Sequence, residues 1–85
     1  MTEYIALNDS DSLYCIKRKI NEALTDYENA SVYNDIYEYA YVQGLLSGLF
    51  LTARPNDSDA YVLYHRGYAW LNRITDIKAK KIKND

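Results

Sequence analysis

Three stretches of this chain repeat apolar residues at helical spacing, and they differ in how much of the helix the apolar residues occupy. In the first, Leu13, Ile16, Ile20, Ala23, Leu24 and Tyr27 recur at steps of three and four, while Lys17, Arg18, Glu22, Thr25 and Glu28 face elsewhere. That is the narrow stripe of a surface helix lying on a core. In the third, Tyr61, Tyr64, Tyr68, Leu71 and Thr75 line one edge of an apolar arc, and Leu63, Gly67, Trp70, Ile74 and Ile77 line the other. An arc of that width serves two neighbours. The second stretch has no polar side at all in its later half. From Tyr39 to Ala53 it carries no charged residue, and a helix apolar all round must be wrapped by other helices, from its own chain or from a second copy.

These patterns predict an all-α single domain over residues 1–85: an N-terminal arm over 1–10 and helices over 12–29, 32–53 and 58–82. Asn29-Ala30-Ser31 is read as a break between the first two helices, although it lacks both glycine and proline, and one continuous helix is the alternative. Arg54-Pro55-Asn56-Asp57 reads as a tight turn, because proline cannot continue a helix and biases Arg54 away from helical geometry. A connection that short predicts an antiparallel hairpin of the second and third helices at the centre of the fold. The arm offers either an extended segment or a single apolar turn, and Tyr4, Ile5 and Leu7 need cover, for which a second subunit is one source. The greasy surface of the second and third helices exceeds what one slim first helix can hide, so the expected state is a homodimer or higher oligomer.

Inside the second helix the outer positions change along its length. Tyr33, Tyr37 and Tyr41 stack at a spacing of four, beside Asp35 and Glu38, and the same face continues through Gly44 and Gly48. Each glycine costs a helix about 1 kcal/mol relative to alanine, so two of them suggest a close approach by another helix. Gly44, Gly48, Leu45, Leu49 and Trp70 are therefore the expected oligomer interface. Tyr33, Tyr37, Tyr41, Asp35 and Glu38 are the expected contact surface for a protein partner.

Composition narrows the function classes. The net charge of -2 signals neither a strong nucleic-acid binder nor a nucleic-acid mimic. The Lys17-Arg18-Lys19 cluster and the lysines near the C-terminus give nucleic-acid binding weak support. Between them, seven acidic residues stand against Arg54 alone from Asn21 to Ala60, which would repel phosphate. Ten tyrosines against one phenylalanine and one tryptophan favour half-buried positions and interfaces, where a large ring and a hydroxyl are both useful. Cys15 is the only cysteine, which excludes an internal disulfide and paired-cysteine metal sites and suits a reducing cytoplasm. No membrane association is expected. The uncharged run is shorter than the ~18–20 residues a spanning helix needs, and the acidic N-terminus is no secretory signal.

Chemistry has little to stand on. His65 is the only histidine, with no carboxylate one turn away, so no metal site is expected. The repeated Asn-Asp-Ser-Asp at 8–11 and 56–59 reads as two helix caps. Neither copy has the glycine and terminal glutamate of a calcium loop. Cys15 lies off the apolar stripe without a paired base. The three glycines fit no phosphate loop. No catalytic residue and no cofactor are assigned. The expected function is a non-enzymatic adaptor, inhibitor or regulator of the kind small phage or mobile-element chains supply, docking its tyrosine-lined surface on a protein. The alternative is a small-molecule or nucleotide sequestering protein, with Arg66, Arg73 or Lys17 meeting phosphates at a subunit interface. A nucleic-acid-binding regulator using the basic clusters comes third.

Overall fold

The computed structural model describes residues 3–52 and 58–84, with side chains described as far as Lys81. The expected turn at Arg54-Pro55-Asn56-Asp57 lies outside the described residues. Among the described residues the chain forms three helices and no strand: α1 (Tyr14–Asn29), α2 (Asp35–Thr52) and α3 (Ser58–Asn84). Each helix packs on the other two. The sequence-read stripe of α1 is its buried face, with Ile20, Ala23, Leu24 and Tyr27 in the core and Leu13 and Ile16 packed against its edge. Most of the double-width arc of α3 is served within the chain: Leu63, Leu71 and Ile74 are buried, while Ile77 stays exposed, with α1 and α2 as the two neighbours.

The helix ends differ from their sequence-read places for identifiable reasons. α1 starts at Tyr14 rather than at residue 12, because Asp11 closes a separate turn first. Its carboxylate accepts the Leu13 N–H at 2.8 Å, and its carbonyl accepts the Tyr14 N–H at 3.1 Å. Asn8 does similar work one step earlier, accepting the Ser10 N–H at 3.1 Å. The break after α1 is present: Ala30 is extended, at φ -67 and ψ 143. Ser31 to Asn34 then form a turn, in which the Asn34 N–H meets the Ser31 carbonyl at 2.9 Å, so α2 begins at Asp35 rather than at residue 32.

A cation from α3 explains how α1 stops without glycine. Lys78 Nζ donates to the carbonyl of Tyr27 at 2.7 Å and to that of Ala30 at 3.1 Å. It also lies 2.7 Å from Asp35 Oδ1 at the start of α2, in an ion contact that leaves that oxygen with no hydrogen bond of its own. The ammonium thus meets the negative end of one helix dipole, while the carboxylate sits at the positive end of the next. It lies 4.9 Å from the centre of the Tyr27 ring as well.

The N-terminal arm, as described from residue 3, is neither helix nor strand, and its cover comes from this chain rather than from a second copy. Ile5 is buried, and so is the Asn21 side chain of α1. Asn21 Oδ1 accepts the Ile5 N–H at 2.9 Å, and its Nδ2 donates to the Ile5 carbonyl at 2.8 Å. One amide side chain therefore satisfies both backbone groups of a buried residue. Beside it, Tyr4 meets Trp70 edge-on, with ring centres 5.2 Å apart.

Candidate functional site: the outer face of α2

α2 is nearly as apolar on its outside as on its inside. Its inner side is a stripe of Tyr39, Val42, Leu46 and Leu49, of which Val42 and Leu46 are fully buried and Tyr39 meets Tyr27 at 5.7 Å. Ile36, Tyr37, Ala40, Tyr41, Gln43, Gly44, Ser47, Gly48, Phe50 and Leu51 are exposed, and none is charged. Ile36 and Tyr37 are each 73% exposed and Leu51 80%. Val32 and Tyr33, in the turn ahead of the helix, extend this surface at 71% and 89%. Scattered exposed apolar residues are ordinary on a protein surface. A continuous uncharged helix face is not.

The residues expected to contact a partner are separated by the fold. Tyr33, Tyr37 and Tyr41 all point outward, although Tyr33 precedes the helix, so only Tyr37 and Tyr41 keep the helical register. Asp35 is held by Lys78 and Glu38 is half-buried, which leaves the face without its expected acidic rim. The five expected interface residues separate in the same way. Gly44 and Gly48 are exposed, whereas Leu45, Leu49 and Trp70 are half-buried against the chain's own core. Among the described residues no other element approaches Gly44 or Gly48: a Cβ at either would meet nothing within 4 Å. The close approach occurs at Gly67 of α3 instead, where a Cβ would overlap Leu46 Cδ2 and lie 3.2 Å from its Cδ1.

Sequence reasoning passed over Ile36, Ala40, Ser47, Phe50 and Leu51 as members of this face. The signal was present in the absence of charge between Glu38 and Arg54, but nothing in a uniformly apolar helix tells its inner from its outer side. Phe50 also anchors an aromatic cluster at the border with α3, with ring centres 5.7 Å from Tyr61 and 4.9 Å from Tyr64; Tyr64 in turn meets Tyr68 at 4.9 Å.

Elsewhere, a cavity of about 340 Å³ opens between the arm and α3, lined by Leu7, Asp11, Lys17, Asp59, Leu63 and Arg66 among others. Lys17 is paired there with Asp11. That ammonium and the Leu13 N–H hold the Asp11 carboxyl below its ordinary value of 3.8. Arg18 lies 3.4 Å from Glu22, so two of the three cations in the first basic cluster face carboxylates of their own chain. Cys15 and His65 are exposed. Among the described residues no cluster of three histidine, cysteine or carboxylate side chains could hold a metal ion, and no helix is long and apolar enough to cross a membrane. Comparison with protein-family models, curated proteins and solved structures finds no match to this chain.

Proposed function

We propose that this protein is a non-enzymatic interaction protein, an adaptor, inhibitor or regulator, that works by docking the outer face of α2 on protein partners, copies of itself included. The observation that carries this reading is the exposure of Tyr33, Ile36, Tyr37, Tyr41 and Leu51 on a surface without charge. Tyrosine adds contact area at small entropic cost and keeps a hydroxyl for the rim of an interface. Self-association as a homodimer or higher oligomer fits the same face. The central pairing of α2 and α3 is read as an antiparallel hairpin. Leu46 lies against Gly67 while Phe50, further along α2, meets Tyr64 and Tyr61, further back on α3.

The double substitution of Tyr37 and Tyr41 by serine tests the reading. Both residues are exposed, so helicity and melting behaviour should be preserved. Proteins retained from the source cell by the wild-type chain should be lost by the variant. Retention of the same proteins by a folded variant would refute the proposed surface.

The small-molecule alternative has one observation in its favour, the cavity that brings Lys17 and Arg66 together. It lies within one chain, and among the described residues its lining holds no tyrosine, so the stacking of a base between tyrosine rings has no support there. Asp11 and Asp59 balance the two cations, which suits a zwitterion better than a phosphate. A rise in melting temperature on adding free amino acids, by the mass action of a ligand that binds only the folded state, would favour this reading over docking.

A further inference from the structure

The outer face of α2 is suited to one particular occupant. The chain exposes 6049 Å², whereas a folded monomer of its mass, 9.9 kDa, exposes about 5,200 Å². The surplus of roughly 850 Å² is close to the ~800 Å² that each partner contributes to a standard interface. The radius of gyration agrees, at 13.5 Å against about 12 Å for a compact domain of this length. The polar end of α3 accounts for part of the surplus. Most of the large exposed apolar side chains lie on α2 and the turn ahead of it, from Val32 to Leu51, with Val62 and Ile77 on α3.

The order of residues along that face is self-complementary. Counting outward from Gly44, the helix places Tyr41 and Ser47 three residues away on its two sides, Ala40 and Gly48 four away, and Tyr37 and Leu51 seven away. Steps of three, four and seven stay on one face of a helix. Tyr37 and Leu51 therefore sit at the two ends of the face, Ala40, Gly44, Ser47 and Gly48 between them, and Tyr41 is the one large residue near the middle. An identical helix laid antiparallel across Gly44 would set Tyr37 against Leu51, Ala40 against Gly48 and Tyr41 against Ser47. A two-fold interface requires this kind of reciprocal match. With no charge on the face, two copies meet without repulsion, and the open space over Gly44 and Gly48 lets their backbones come close.

We propose that the outer face of α2 is a two-fold interface, on which a second copy of this chain lays its own α2 antiparallel with Gly44 at the axis. This rests on the reading of α2 as the docking surface and names its occupant.

The test uses the full chain carrying Cys15→Ser, so that no native thiol interferes. Light scattering at micromolar concentration should return twice the mass of one chain. Adding Gly44→Leu and Gly48→Leu fills the middle of the face at positions where each chain has open space. Helicity should hold or rise, while the dimer dissociation constant rises at least a hundredfold. Gly44→Cys alone should oxidise to a disulfide-linked dimer, because a residue on the axis faces its own copy. Tyr37→Cys and Leu51→Cys should cross-link when mixed and not singly. Asp26→Cys, exposed on α1, serves as the unlinked control.

A single-chain mass for the folded protein at hundreds of micromolar overturns the proposal, and leaves the docking reading to its own test with Tyr37 and Tyr41. A dimer that ignores the leucine pair and fails to cross-link at position 44 overturns the proposal too, by placing the interface on another face.

Discussion

The joint where α1, α2 and α3 meet and the outer face of α2 are opposite solutions to the same shortage of core. At the joint, few atoms do several tasks. One ammonium there serves three carbonyls and a carboxylate, and at the arm one buried amide serves both backbone groups of Ile5. On the outer face, Ile36, Tyr37 and Leu51 are mostly exposed among the described residues. The contrast separates what fixes the fold from what is left for association. Polar groups fix the helix ends and the arm, whereas of the second apolar side of α2 Phe50 reaches α3 while Ile36, Tyr37 and Leu51 stay exposed.

The sharpest way to break this contrast is to shorten leucines on the two sides of α2. Leu46→Ala, at a fully buried position, should cost about 2–5 kcal/mol by lost transfer energy and the cavity left behind. Leu51→Ala, at 80% exposure, should stay within about 0.5 kcal/mol in urea unfolding of dilute protein. Equal losses at both positions would mean that the outer face is not free. Next in size is the joint itself. Lys78→Met keeps the aliphatic stem but leaves three carbonyls and Asp35 without their cation, and should cost roughly 2–4 kcal/mol. Lys80→Met, on an exposed neighbour, should be close to neutral.

The glycines give a smaller effect of opposite sign. Gly67→Ala drives a methyl group into Leu46, and should cost ~1–2 kcal/mol after the gain in helix propensity is subtracted. Gly44→Ala adds a methyl group to open space, and should stabilise α2 of dilute protein by up to ~1 kcal/mol, read by amide exchange. The smallest effect is the acid dependence of Asp11. Its carboxyl titrates below 3.8 in the folded chain, so its contribution to stability is present above the ordinary carboxylate pKa and disappears as pH falls through the lowered one. Asp11→Asn should lower stability slightly at neutral pH, leave it nearly unchanged at low pH, and so flatten that part of the stability profile. A steeper acid limb in the variant would refute the pairing with Lys17.

The parts of the fold legible in the sequence are those that depend on local period. The stripe from Leu13 to Tyr27 and most of the wide arc of α3, Ile77 excepted, pack on the core, since apolar residues at three- and four-residue steps have one side to hide. The register of α2 was not legible. Its apolar residues surround the axis, so its inner side is set by which residues α1 and α3 reach, and they reach Val42 and Leu46. For the same reason the sequence could not say which glycine meets a neighbour within the chain. Whether a glycine marks a close approach depends on the neighbour, and Leu46 presses on Gly67 while the space over Gly44 stays open. Asn21 and Lys78 gave no local signal at all. Their partners lie 16 residues away for Asn21 and 48 to 51 away for two of the Lys78 carbonyls. Of the candidate site, the tyrosines and the absence of charge were readable. The loss of Asp35 to an internal ion contact was not.

Lys78 has a consequence for how the molecule comes together. Its ammonium gains nothing from α3 alone and only part of its contacts from α1. The full set exists once the end of α1 and the start of α2 have both arrived. A group rewarded only by the finished arrangement disfavours half-formed states, so melting should remain a single transition in which no helix outlasts the others.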